Sequence, residues 1–141
     1  MCYKIKNTAG SMKDKIYKSI SKVSTLYNIW CTIHFDRWSA KPELTNKRAR
    51  GVYVIYDSQR VYYVGKGFIR DRQDKHREKF LGEFKNARDT RGFKKFREQY
   101  GILDLTSLDF CYITLDSETA ISAVETGLIH LLQPLANDET Q

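Results

Sequence analysis

Residues 11–30 carry apolar side chains at Met12, Ile16, Ile20, Val23, Tyr27 and Trp30, recurring at steps of three or four. Lys13, Lys15, Lys18 and Lys22 fall off that stripe, so one amphipathic helix is predicted. Residues 31–50 lose the period, and Pro42, Asn46 and the run Lys47-Arg48-Ala49-Arg50 read as an exposed connection. Residues 52–56 and 61–64 are β-branched or aromatic and flank the turn Asp57-Ser58-Gln59, which predicts a β-hairpin ended by Gly65 and Gly67. From Ile69 the pattern turns helical, with Ile69, Arg72, His76 and Phe80 on one face. A loop over 86–92, a short helix over 93–100 closed by Gly101, and a third strand over 108–115 follow. Ser117 is a good N-cap and Glu118 suits the first turn of a last helix, which Pro134 stops. The expected fold is α/β of the α+β kind: a small, central, mainly antiparallel three-stranded sheet flanked by helices, with a basic helical N-terminal extension.

Composition narrows the class. The 141 residues suit one domain. Hydrophobic content of 41% speaks against disorder. Three cysteines, Cys2, Cys31 and Cys111, are odd in number and far apart, which speaks against a disulfide framework or a cysteine zinc site. No run approaches ~18 apolar residues, and lysines 4 and 6 are not followed by an apolar stretch. Neither a membrane span nor a secretory signal is expected, and the expected compartment is the cytoplasm, bacterial or that of a host cell. Charge is divided along the chain. Residues 1–50 carry 11 basic and 3 acidic side chains, residues 51–100 carry 13 and 7, and residues 101–141 carry none and 7. A positive charge confined to the first two thirds suggests a polyanionic partner.

Three places carry polar groups where the period asks for apolar ones. Glu125 sits at the edge of the face formed by Ile121, Val124, Leu128, Leu131 and Leu132. A half-buried carboxylate needs compensation, either from an arginine of another helix or from a hard divalent cation. Arg72 and His76 point with Ile69 and Phe80. Either Arg72 pairs with Glu125 while His76 fills a core niche, or the two make a cationic pocket for a phosphate. Lys66 lies between two glycines that let the backbone approach a ligand, but the spacing of a phosphate-cradling G-x-x-x-x-G-K-[ST] loop is missing. Tyr53 and Tyr63, with Tyr56 and Tyr62 nearby, are by themselves ordinary strand residues.

Taken in order, these elements resemble a family. Gly51-Val52-Tyr53, nine residues, then Tyr63-Val64-Gly65 is similar to the signature of the GIY-YIG nuclease superfamily, with Val for Ile in both triplets. Arg72-x-x-x-His76, Ala123-Val124-Glu125, Leu128-Ile129 and Pro134-x-x-Asn137 follow at compatible positions, so the resemblance spans residues 51–137. Two features depart from the pattern. The gap between triplets is short, and Phe68-Ile69-Arg70-Asp71 differs from the family's lysine-rich turn, which leaves Arg70 competing for the arginine role.

The resemblance implies a nuclease domain over 51–141 that cuts DNA, double-stranded or branched, with one Mg²⁺ or Mn²⁺ per active site. Glu125 is then the metal ligand, Arg72 binds the scissile phosphate, and Tyr53 is the general base. Tyr63 positions water or phosphate and is able to exchange roles with Tyr53. His76 bonds the phosphate or assists proton transfer, Lys66 supplies positive charge, and Gly51, Gly65 and Asn137 give structural support, Asn137 by pinning the helix end. Tyrosine has a reference pKa near ~10, so a tyrosine base needs a nearby cation. Lys66, Arg70, Lys47, Arg48 and Arg50 are the expected DNA contacts. The resemblance is silent on residues 1–50, whose basic side chains with Trp30, Phe35 and Trp38 suit either a DNA clamp or a covering helix. Cutting both strands calls for a homodimer or successive encounters. A lapsed nucleic-acid-binding protein and an RNA-directed nuclease are the alternatives.

Overall fold

A computed structural model of the chain describes residues 11–37 and 49–137. The elements run α1 (Met12–Leu26), β1 (Ile33–Arg37), β2 (Arg50–Tyr56), β3 (Val61–Phe68), α2 (Ile69–Leu81), α3 (Arg91–Tyr100), β4 (Asp109–Thr114) and α4 (Glu118–Leu132), with a 3-10 turn at Leu105–Ser107. The fold is α+β. The sheet has four strands rather than the expected three, in the order β1-β4-β2-β3, and every neighbouring pair is antiparallel.

The added strand is β1. It lies inside the stretch expected to be a loop and pairs Ile33 with Ile113 and Phe35 with Cys111 of β4. Ile33-His34-Phe35-Asp36-Arg37 is only five residues long, and the consecutive apolar residues Ile29-Trp30-Cys31 before it break the alternation in a longer window. The first helix also stops sooner than its apolar stripe. Ile16, Ile20 and Val23 are buried, whereas Tyr27 and Trp30 are exposed and lie beyond the helix end. Asn28 takes a left-handed backbone (φ 53°) at that exit, a conformation asparagine tolerates. Lys47, Arg48 and Trp38 lie outside the described residues.

Two layers pack on the sheet. On one face α1 and α4 enclose an aliphatic cluster that includes Ile16, Ile20, Val52, Val54, Val64 and Leu128. On the other face α2 and α3 enclose an aromatic cluster that includes Tyr53, Tyr62, Phe80, Phe93, Phe96 and Phe110. The alternation of β2 delivers both clusters, Val52 and Val54 to one side, Tyr53 and Ile55 to the other. Gly51 permits close passage of β2 and β4, because a Cβ there would strike the Ile113 carbonyl. The outer edge of β3 is closed by the segment after α4. Leu135 N–H and Ala136 N–H donate to the carbonyls of Val61 and Tyr62 at 3.2 and 2.8 Å. No helix among the described residues is long and apolar enough to cross a membrane.

Candidate active site

The glycines expected to end the hairpin do not do so: β3 runs through both Gly65 and Gly67 to Phe68. Gly65 faces Tyr53 across the ladder. A Cβ on Gly65 would lie 2.6 Å from Tyr53 Cζ and 2.6 Å from Tyr63 Cε2, so the missing side chain is what lets two tyrosine rings share the strand surface. Their centroids are 6.2 Å apart. Gly67 has φ +133°, and a Cβ there would meet Arg72 Nε at 3.2 Å, so the arginine leans back over the strand from the first turns of α2.

Tyr53, Tyr63, Lys66, Arg72 and Glu125 line one cavity of about 360 Å³. Lys79 and Thr90, which sequence reasoning did not single out, line it too. Lys66 Nζ donates to Ser122 Oγ at 3.1 Å, three residues before Glu125 on α4. His76 is not in the wall. It sits beneath Tyr53, 1% exposed, with Nε2 2.5 Å from the Tyr53 hydroxyl and its ring 4.3 Å from that of Tyr63. Its other nitrogen, Nδ1, is buried without a partner. Asn137 supports the strand rather than the helix end: Nδ2 donates to the Val64 carbonyl at 2.7 Å while Oδ1 accepts from Val64 N–H at 2.9 Å.

The basic residues outside the cavity fall in two groups. Arg70 is partly exposed in the first turn of α2. Arg50 opens β2, pairs with Glu118 and lays its guanidinium 5.3 Å from the Phe68 ring centroid. The reading that paired Arg72 with Glu125 is not realised, since neither forms an ion pair among the described residues. Both line the cavity without an ion-pair partner among the described residues, and Lys66 acts on Glu125 electrostatically.

Burial sets the protonation states. It holds the Tyr53 phenol well above its ordinary value, reinforced by Tyr63 and Glu125 and opposed by Arg72. Burial and the Glu125 carboxylate push Tyr63 up to about 12 against Arg72. Burial, with Lys79 and Arg72 adding repulsion, drives His76 well below its usual value, so the imidazole is neutral. In a neutral imidazole one nitrogen donates and the other accepts, so the direction of the Tyr53–Nε2 hydrogen bond follows the tautomer. Glu125 is raised by burial and lowered by Lys66. A half-buried carboxylate with no ion-pair partner, beside tyrosine oxygens, fits a hard cation that keeps several waters. Among the described residues no three His, Cys, Asp or Glu side chains converge into a group that could hold a metal ion, so Glu125 would be the one carboxylate ligand in this cavity.

No family model matches the chain, and a search of curated proteins returned no match.

Proposed function

We propose that this chain is a divalent-metal-dependent endonuclease of the GIY-YIG type that hydrolyses DNA phosphodiester bonds in the cytoplasm. The observation that carries the reading is the cavity itself: two tyrosines, an unpaired arginine, a lysine and an unpaired glutamate meet there from β2, β3, α2 and α4. That set has a donor for each task in phosphodiester hydrolysis.

Arg72 binds the scissile phosphate, and its fork meets the charge that grows on the phosphoryl oxygens. Glu125 would hold Mg²⁺ or Mn²⁺, which when bound stabilises charge on the leaving oxygen. Tyr53 cannot rest as phenolate, because burial opposes it. It acts as a relay. As water attacks phosphorus, the water proton goes to Tyr53 Oη, and the proton Tyr53 held passes to His76 Nε2 along the existing 2.5 Å contact. The imidazolium that results is disfavoured by Lys79 and Arg72. The bound phosphate offsets that repulsion; as the P–O bond to the leaving oxygen breaks, that oxygen takes a proton from solvent, and after product release the His76 proton returns through Tyr53 to solvent. Tyr63 stays neutral and donates to the phosphate or the attacking water. Lys66 adds positive charge to the same wall. One such site cuts one strand at a time, so double-strand cleavage requires a second copy of the chain or a second encounter.

Supercoiled plasmid incubated with the protein and Mg²⁺, beside an EDTA control and an RNA substrate, tests the reading. Nicked or linear DNA that EDTA suppresses is expected. Binding without cutting identifies a lapsed enzyme, and cleavage confined to RNA moves the activity to the other polymer.

A further inference from the structure

Lys79 lies two turns after Arg72 on α2 and is 7% exposed. Its ammonium group is 5.5 Å from the Phe93 ring centroid and has no carboxylate within ion-pair distance among the described residues. The nearest acid that acts on it electrostatically, Asp89, is already held by Arg97 at 2.7 Å. A buried cation without a counter-ion is costly, and a second cation, Arg72, shares its cavity. Beside it stands Thr90, the residue that opens α3. Its hydroxyl caps no backbone N–H, and the first turn of that ten-residue helix carries no acid. Among the described residues the N–H groups of that turn have no capping side chain, and the neighbouring lysine ammonium has no carboxylate within ion-pair distance. Burial, Arg72 and Lys75 all lower the lysine's proton affinity, which an anion in the cavity would reverse.

We propose that Lys79, Thr90 and the first turn of α3 form a second phosphate subsite beside Arg72, and that it holds a phosphodiester adjacent to the one being cut. A cavity of about 360 Å³ exceeds what a single phosphate needs. The proposal rests on the nuclease reading for the identity of its ligand, but the anion chemistry belongs to the subsite alone. Lys79 is a binding residue here, outside the proton relay.

The test combines protein and substrate changes. Lys79→Met keeps the stem against Phe93 and removes the charge, and Lys79→Arg restores it. KM for a cleavable duplex is expected to rise roughly tenfold or more in Lys79→Met and to recover in Lys79→Arg. In the wild type, one neutral methylphosphonate placed at one of the two neighbouring positions should reproduce that loss, and Lys79→Met should be indifferent to it. A wild type indifferent at both positions overturns the proposal whether or not the variants fold, as does a variant as sensitive as the wild type. If the protein cuts no nucleic acid, the nuclease reading has failed and inorganic phosphate decides the subsite. Phosphate should shift the amide resonances of Arg91, Gly92 and Phe93 in the wild type and not in Lys79→Met. Absent shifts, or equal shifts in both proteins, overturn it.

Discussion

The two faces of the sheet bury comparable layers by different chemistry. Between the sheet and α1 with α4 the contacts are mostly Ile, Val and Leu, and the layer places few polar atoms in the interior. Between the sheet and α2 with α3 they are mostly aromatic, and the same layer buries His76, Gln73 and Lys79. An aliphatic layer contributes burial alone, roughly 25 cal/mol per Å² of apolar surface. An aromatic layer fills the same volume yet brings hydroxyl and imidazole groups to its rim, where Tyr53 and Tyr63 reach the cavity. One face holds the molecule together and the other also carries the Tyr53–His76 pair to which the proposed proton path is assigned. Glu125 is the exception that joins them, because it stands on α4, whose buried residues belong to the aliphatic side, and turns its carboxylate into the cavity.

Substitutions break that comparison in a definite order. Tyr53→Phe keeps the ring and removes the hydroxyl, so turnover should fall about 10²–10⁴-fold, while stability drops by about 1–3 kcal/mol because buried His76 Nε2 loses its partner. Unchanged turnover would move the base role to Tyr63. Leu128→Ala should do the opposite. Leu128 is fully buried in the aliphatic layer, so the loss is about 2–5 kcal/mol of stability by denaturant titration, with kcat retained below the melting range. Gly65→Ala should affect both, since the new Cβ runs into both tyrosine rings. About 1–3 kcal/mol of stability should go, together with activity, as Tyr53 is displaced from His76.

The smallest effect concerns pH. Burial raises the Glu125 pKa above its ordinary 4.5, so the folded state retains that proton at pH values where the unfolded chain has released it. Stability therefore declines as pH rises from the ordinary carboxylate value through the folded one, and stays lowered above it. Glu125→Gln lacks this penalty. Its melting temperature without divalent ions should match or exceed that of the wild type at pH 7, and the gap should narrow as pH falls below 4.5. A variant that is less stable at pH 7 would show that the carboxylate is structurally paired.

Much of this was legible in residue order, and the failures have physical causes. The hairpin, α2 and the Ser117-capped α4 follow from period and capping alone, and Ser117 Oγ does accept from Ala120 N–H. β1 was hidden because a five-residue edge strand gives too few alternations to stand out after the unbroken apolar run Ile29-Trp30-Cys31. Gly65 and Gly67 signalled an end to β3 because glycine weakens strands, whereas here the absent side chains make room for Tyr53 and Arg72. The cavity residues came from the motif order. Lys79 did not, although its spacing of seven from Arg72 places it on the same helix face. A lysine on a charged helix reads as solvent-facing until packing shows that Phe93 covers it. Thr90 needed the relative placement of two helices, which no local pattern contains.

The most direct measurement is plasmid cleavage with Mg²⁺ by three proteins side by side, wild type, Tyr53→Phe and Leu128→Ala, below the melting range of all three. Leu128→Ala is expected to cut at close to the wild-type rate while Tyr53→Phe, still folded at that temperature, cuts at less than about a hundredth of it. Equal rates for wild type and Tyr53→Phe, or no Mg²⁺-dependent cleavage by the wild type, would contradict it.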